Sequence, residues 1–376
     1  MELNVNNFLK STGCILLCTL LSGCPLDLDG GGSKDDAVEQ GPKVVAGGSE
    51  PTLEGGWKSD CISVSDSYSY TFLNVYSGQA FETYLRGYAD DNCATPYSRV
   101  EIKGSFSTDN QRTLESGKEV TPMALQVDSM HFAYYRSLEV VTANLTNACG
   151  ISTWYAGELQ NISACDDYMQ QFAQLKDIVH LTEGEMHVGN SKNIGEDGYP
   201  IALTSNALRY QTPVAFEGKW QQACNVTDDG LSSITRELTV FRNFMKASNV
   251  VFGDSVCENQ VYESQFSVLL DATSEAIFAS GESVSLFTFS GYSRNFSFLD
   301  EEYVNQFNGD ANYACGGTPW LLNHNKDVFE CSSFSGLPTS KDAFKIDGDN
   351  LIFGDTDYLD DQGYPTQLQA VFYTRQ

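Results

Sequence analysis

The sequence predicts a mostly β protein built as two tandem, disulfide-stapled antiparallel β-barrels. Three observations predict it. A framework of Trp and Cys recurs after about 165 residues, short runs alternate apolar with polar residues, and the composition is rich in aromatics and Gly but low in charge.

Self-similarity organises the chain. Gly56-Trp57-Lys58-Ser59-Asp60-Cys61 returns as Lys219-Trp220-Gln221-Gln222-Ala223-Cys224, Cys93 as Cys257, Cys149 as Cys315, Trp154 as Trp320 and Cys165 as Cys331. Gly198-Tyr199-Pro200 returns as Gly363-Tyr364-Pro365. The shifts run only from 163 (Trp57 to Trp220) to 166 (Cys165 to Cys331), a register that chance does not keep. Tandem duplication follows, with one domain over 53–212 and the other over 213–376. A chain of 376 residues is long enough for each to bury its own core.

Period-two alternation marks the strands. It shows in Tyr68-Ser69-Tyr70-Thr71-Phe72, in 100–106, in Ser285-Leu286-Phe287-Thr288-Phe289 and in 369–373. Residues 343–353 read as a hairpin about a Gly-containing turn. One segment, Asp166–Leu175, reads as a helix, because Asp166 and Asp167 open it where the helix dipole favours anions. Eight or more antiparallel strands per domain are expected to close into a barrel, which removes the exposed edges.

The N-terminus predicts export. Cys14 to Leu21 is an apolar stretch of signal length, too short to span a membrane as a mature helix. Leu21-Ser22-Gly23-Cys24 resembles the bacterial lipobox, which implies cleavage before Cys24 and acyl chains on its sulfur. Residues 1–24 are thus read as a lipoprotein signal, and 25–52, with Gly, Ser and Pro throughout, as a flexible tether. Several acyl chains suffice for stable attachment. Pro25 stands where an Asp would mark inner-membrane retention, so the expected place is the cell envelope, at the outer membrane.

Of 11 Cys, Cys14 and Cys18 leave with the signal and Cys24 is the lipidation site. Eight remain, four per domain, and an even count in an exported chain reads as disulfides. Four Cys allow three pairings. The local ones, Cys61–Cys93 with Cys149–Cys165 and Cys224–Cys257 with Cys315–Cys331, keep matching loops in both copies. Each such closure contributes about 3–4 kcal/mol in the chain-entropy account. No two of these Cys stand at the spacing of a zinc knuckle.

The opening Gly55-Gly56-Trp57, echoed with a one-place displacement in Gly218-Lys219-Trp220, resembles the lipocalin start, in which the Trp plugs one barrel end. Adding Trp-x3-Cys, the next Cys some 32 residues on, and a Cys-Gly followed by Trp five places after the Cys, the framework is similar to the tandem lipocalin-like domains of a vertebrate membrane-bound Wnt-antagonist family, down-regulated by adenomatosis polyposis coli. The resemblance implies lipocalin-like barrels open at one end, able to hold a lipid or other apolar molecule. It carries no ligand residues onto this chain. Trp57, Trp154, Trp220 and Trp320 are expected to be structural.

Composition and motifs exclude several classes. Lys plus Arg number 22 against 50 Asp plus Glu, and a formal charge of −28 repels nucleic acid. His131, His180, His187 and His324 fit no metal template. No nucleophile elbow, phosphate loop or dinucleotide fingerprint occurs, so no catalytic residue, metal or cofactor is assigned. Asp90-Asp91 and the acidic run 355–361 read as solvated turns, since the run lacks the EF-hand Gly at its sixth place. Tyr134, Tyr135, Phe278, Phe287, Phe289, Phe296 and Phe298 suit either a ligand wall or a solid core, and core packing is the commoner fate.

The expected function is a non-catalytic envelope lipoprotein whose partners are the membrane, through Cys24, and a small apolar or lipidic ligand in its barrels. The alternative is a structural or adhesive surface protein whose loops meet a protein or glycan. An enzyme is the least favoured class, because no acid pair recurs in both copies.

Overall fold

The computed structural model describes residues 52–165, 175–227, 230–309, 315, 319–329, 331 and 340–376. Cys24 and the signal lie outside these, as do residues 166–174 of the segment expected to be helical; its last residue, Leu175, opens a strand.

The first copy contains β1 (Gly55–Ser59), β2 (Ile62–Ser65), β3 (Tyr68–Ser77), β4 (Ala80–Tyr88), β5 (Pro96–Thr108), β6 (Arg112–Thr113), β7 (Glu119–Tyr134), helix α1 (Ser137–Leu145), β8 (Gln160–Asn161), β9 (Leu175–Thr182), β10 (Glu185–Gly189) and β11 (Leu203–Tyr210). Its sheet runs β1-β11-β10-β9-β7-β5-β4-β3 and closes where β1 pairs with β3. Trp57 sits at that closure, opposite Tyr210 on one side and Asn74 on the other.

The second copy contains β12 (Gly218–Val226), β13 (Ser233–Phe241), β14 (Phe244–Phe252), β15 (Gln260–Ile277), β16 (Ser283–Phe298), helix α2 (Glu301–Gly309), β17 (Lys326–Asp327), β18 (Ser340–Asp347), β19 (Asn350–Gly354) and β20 (Leu368–Arg375). Its ring closes through β12–β20 and β15–β16. Both copies are closed eight-stranded antiparallel barrels, so neither leaves a long free edge. Compactness divides the chain otherwise than the repeat does. One unit includes 107–125 and 174–207, and the other comprises 54–106, 126–173 and 208–376.

Neither described helix was expected. Asp300 explains the start of α2, because its Oδ1 accepts the N–H of Glu302 at 2.8 Å, with Glu301 and Glu302 following in the first turn. The two helices share a task. Asn144 of α1 accepts the Trp154 N–H at 2.6 Å and donates to the Trp154 carbonyl at 3.1 Å. Asn308 of α2 does the same to Trp320, at 2.6 and 2.9 Å. Each buried indole is thereby pinned beside a disulfide, which explains why these Trp travel with the Cys framework.

The four disulfides are Cys61–Cys93, Cys149–Cys165, Cys224–Cys257 and Cys315–Cys331. The long loops are braced identically in the two copies. Asp90 accepts the N–H groups of Asn92, Ala94 and Thr95, and Asp254 those of Val256, Glu258 and Asn259. Ser69 and Ser233 accept the amides of Cys93 and Cys257 at 3.0 and 3.1 Å. These bonds hold Cys93 and Cys257 in the left-handed region, at φ 57° and 59°. Asp90 is thus a turn-forming residue, in keeping with its acidic turn.

The Gly-Tyr-Pro turns are built alike as well. Pro200 and Pro365 press against Gly189 and Gly354 so closely that a Cβ at either glycine would collide with the ring. Lys176 Nζ lies 4.9 Å from the Tyr199 ring centroid and Lys341 Nζ 5.0 Å from that of Tyr364. Beneath them are Asp177 and Asp342. Asp177 accepts the N–H groups of Ile178 and Gly189 at 2.7 and 2.9 Å; Asp342 accepts those of Ala343 and Gly354 at 2.7 and 3.2 Å.

Burial pushes each of these carboxyls up to about 7, against the pull of the two amides. A raised folded-state value means that the native state holds protons the unfolded chain has released, so stability falls as pH rises from about 4 to about 7. The double variant Asp177→Asn, Asp342→Asn is expected to lose much of that slope and to exceed the parent in stability at pH 8. Urea unfolding midpoints measured from pH 4 to 8 check it, and a slope unchanged by the double variant contradicts it.

Candidate functional site

The second barrel is built on a solid floor. Phe216, Trp220, Phe287, Phe344, Leu351 and Tyr373 form one buried cluster. The Phe216 ring lies edge-on to Phe344 and Phe287, with centroids 4.5 and 5.8 Å apart. Trp220 donates from Nε1 to the Phe216 carbonyl at 2.9 Å, and the Arg375 guanidinium covers its ring at 4.7 Å. The indole is thereby fixed within the floor.

Away from the floor the inner wall becomes polar. Trp220 pairs with Leu238, and Leu238 with Ala247, all inward-facing core residues. Two residues along each strand the same face carries Gln222 opposite Arg236, Arg236 opposite Asn249, and Asn249 opposite Ser264. Arg294 on β16 pairs with Phe266, which itself pairs with Ala247, and so it also turns inward. Arg236 donates to Gln222 Oε1 at 3.0 Å and to the Tyr373 hydroxyl, both neutral acceptors. Burial lowers the Arg294 value, with Tyr262 working the other way. Gln222 is 2% exposed, and its Nε2 is buried without a hydrogen-bond partner. Two guanidiniums and an unsatisfied amide donor therefore face the interior of this barrel.

A second polar assembly joins the copies inside the larger compact unit. Asp327, on β17, is fully buried and receives Arg99 Nη1 at 2.6 Å and Arg86 Nη2 at 3.7 Å. The Tyr135 hydroxyl donates to the same carboxylate, and Glu101 also pairs with Arg99. Burial alone would push the Asp327 carboxyl up; Arg99 and Arg86 outweigh it and hold it below the usual carboxylate range. Around this knot, Asn243 exchanges two hydrogen bonds with Gly56 at 2.7 and 2.9 Å, and Leu73, Val75 and Tyr84 of the first copy pack on Phe244 and Leu269 of the second.

The residues singled out in the sequence are dispersed. Trp57 packs on Tyr210 at 4.8 Å, Trp154 among Phe132 and Tyr134, and Trp320 among Phe296, Phe298 and Phe307, so all four Trp are core. Phe287 and Phe289 belong to the floor, Phe278 packs with Val284, and Tyr135 is spent in the knot. The His180 and His187 rings are 6.4 Å apart, and each Nδ1 meets a backbone carbonyl. His324 pairs with Glu158 at 2.8 Å. Burial lowers the value of His131. Among the described residues, no group of His, Cys, Asp and Glu is arranged to hold a metal.

Sequence reading did not single out Arg86, Arg99, Arg236, Arg294 or Asp327. For two of them a signal existed, since Arg236 falls in register with Leu238 and Val240, and Arg294 with Phe296 and Phe298. No protein-family model matches this chain, and no curated protein matches it.

Removing the central carboxylate of a buried ionic cluster leaves its buried positive charge under-compensated. Asp327→Ala is expected to lower stability by about 3–5 kcal/mol. Urea unfolding at pH 7 checks this, and a loss of less than about 1 kcal/mol, the worth of a surface pair, contradicts it.

Proposed function

We propose that this chain is a non-catalytic binding protein of the cell envelope, anchored through Cys24, that takes up a small amphiphile with an acidic head in its second barrel. The observation that carries the reading is the pairing of Arg236, Arg294 and the unsatisfied Gln222 amide on the inner wall with an apolar floor beyond them. Guanidiniums are costly to enclose in a barrel. A carboxylate or similar head would offset that cost and satisfy Gln222, while its apolar tail would lie against aromatic surface. A field of −28 charges does not draw anions from a distance, so recognition has to be local.

In this reading a ligand in the second barrel stops above Trp220 and Phe287. The presentation of a surface to a protein partner is favoured by one feature. Leu138, Val141 and Leu145 of α1 are 66, 53 and 82% exposed and stand at i, i+3 and i+7, so they form an apolar stripe facing outward.

Titration of dodecanoate into the full chain, followed by calorimetry, tests the proposal. Saturable binding is expected, with Arg236→Met or Arg294→Met weakening it by roughly tenfold or more, the worth of a charge-assisted hydrogen bond. Dodecanol, which lacks the charge, is expected to bind correspondingly less well. Equal affinity for the acid and the alcohol, or binding unchanged in both variants, contradicts the proposal.

A further inference from the structure

We propose that the seam between the two copies holds a second, independent binding site, for a small monoanion with a planar aromatic body. A cavity of about 300 Å³ opens there, and its wall includes Lys58, Arg86, Arg99, Tyr88, Tyr292 and Phe329. Among the described residues, three that line it are cationic and none is acidic, in a chain where acids outnumber bases by 50 to 22.

The cations are held in different ways. Arg86 and Arg99 converge on Asp327 behind the wall, so their guanidinium planes are fixed. Arg86 also lies 4.4 Å from the Phe329 ring centroid. Lys58 reaches the cavity from β1 and, among the described residues, enters no ion pair. The acid nearest to it in charge, Asp60, is itself 3.2 Å from Arg209. An ammonium that enters no ion pair among the described residues, beside guanidiniums matched by Asp327 and Glu101, suits a single negative charge.

Tyr292 supplies the second line of evidence. In the β15–β16 ladder Ser293 pairs with Ser267 and Gly291 with Val268, so Tyr292 is the extra residue of a bulge. The bulge places its ring in the seam, where Lys58 Nζ lies 5.5 Å from the centroid and the Tyr292 carbonyl accepts from Arg86 Nη2 at 3.0 Å. The Tyr292 hydroxyl is buried with no hydrogen-bond partner, and so is Arg99 Nε. Two buried donors left without a partner beside a basic, aromatic-walled cavity suit a ligand that can accept hydrogen bonds. The site belongs to neither ancestral barrel, for at the places of Arg86 and Arg99, 164 positions on, the second copy carries Val250 and Glu263. It arises only where two copies meet.

Sodium benzoate is the probe. Titrated calorimetrically into the full chain, folded in an oxidising compartment, it is expected to saturate at one equivalent. Lys58→Met weakens it by roughly tenfold or more. Tyr292→Phe weakens it about three- to tenfold without lowering the melting temperature, which keeps the test open if Lys58→Met folds poorly. Benzyl alcohol is expected not to compete. Arg236→Met, which cripples dodecanoate uptake if the second-barrel reading holds, leaves benzoate unchanged, so the two proposals stand or fall separately. Absence of saturable benzoate binding, or binding lost in Arg236→Met and kept in Lys58→Met and Tyr292→Phe, overturns the seam site.

Discussion

Asp327 is the constraint on which the rest of the molecule turns. A carboxylate with no exposed surface is tolerable only if its charge is matched on the spot, and here two arginines from β4 and β5 of the other copy do so, with a tyrosine hydroxyl added. The match fixes more than an ion pair. Arg86, beside Asp327, also lies across Phe329 and donates to the Tyr292 carbonyl, and Arg99 is held as well by Asn295. Asp327 in turn donates its amide to the Gly157 carbonyl at 2.7 Å. Polar groups of both copies are therefore satisfied only when the copies are seated on one another, as in an obligate interface rather than between beads on a string.

The duplication separates residues common to both barrels from residues particular to one copy or to the seam. Shared by both copies are the Asp90 and Asp254 turns, the Asn144 and Asn308 clamps on Trp154 and Trp320, and the buried Asp177 and Asp342. Each satisfies backbone amides that the local fold would otherwise strand, and each sits at a matching place in the repeat. The charged groups on which the two proposals rest are not shared. Arg236 and Arg294 line only the second barrel, and Lys58, Arg86 and Arg99 meet Tyr292 only across the seam. The structural devices are repeated in this molecule, whereas these charged groups occur only where the symmetry is broken.

Much of the fold was legible because it rests on local, periodic constraints. Trp-x3-Cys and Gly-Tyr-Pro keep register, alternation in 68–72 and 285–289 marks β3 and β16, and the Gly-containing turn at 347–350 marks β18–β19. Helix α2 was readable in principle from Asp300-Glu301-Glu302, but its nine residues lie beside a long strand whose aromatics dominate the pattern. α1 gave no such cue, because its Ncap, Arg136, makes no side-chain cap bond. The sites were mostly illegible. An inward arginine is visible as a break in an apolar face, as Arg236 is beside Leu238, but Asp327 and Tyr292 matter through partners some 200 positions away and through a bulge that no single-strand pattern reveals.

Scanning calorimetry of the full chain at pH 7, with its disulfides intact, tests most directly whether the knot makes the two barrels one body. The account predicts a single endotherm whose calorimetric and van't Hoff enthalpies agree. In the Asp327→Ala chain it predicts two resolved transitions, one for each barrel. Two separate transitions in the parent chain, or a single one that Asp327→Ala neither splits nor lowers in temperature, would contradict it.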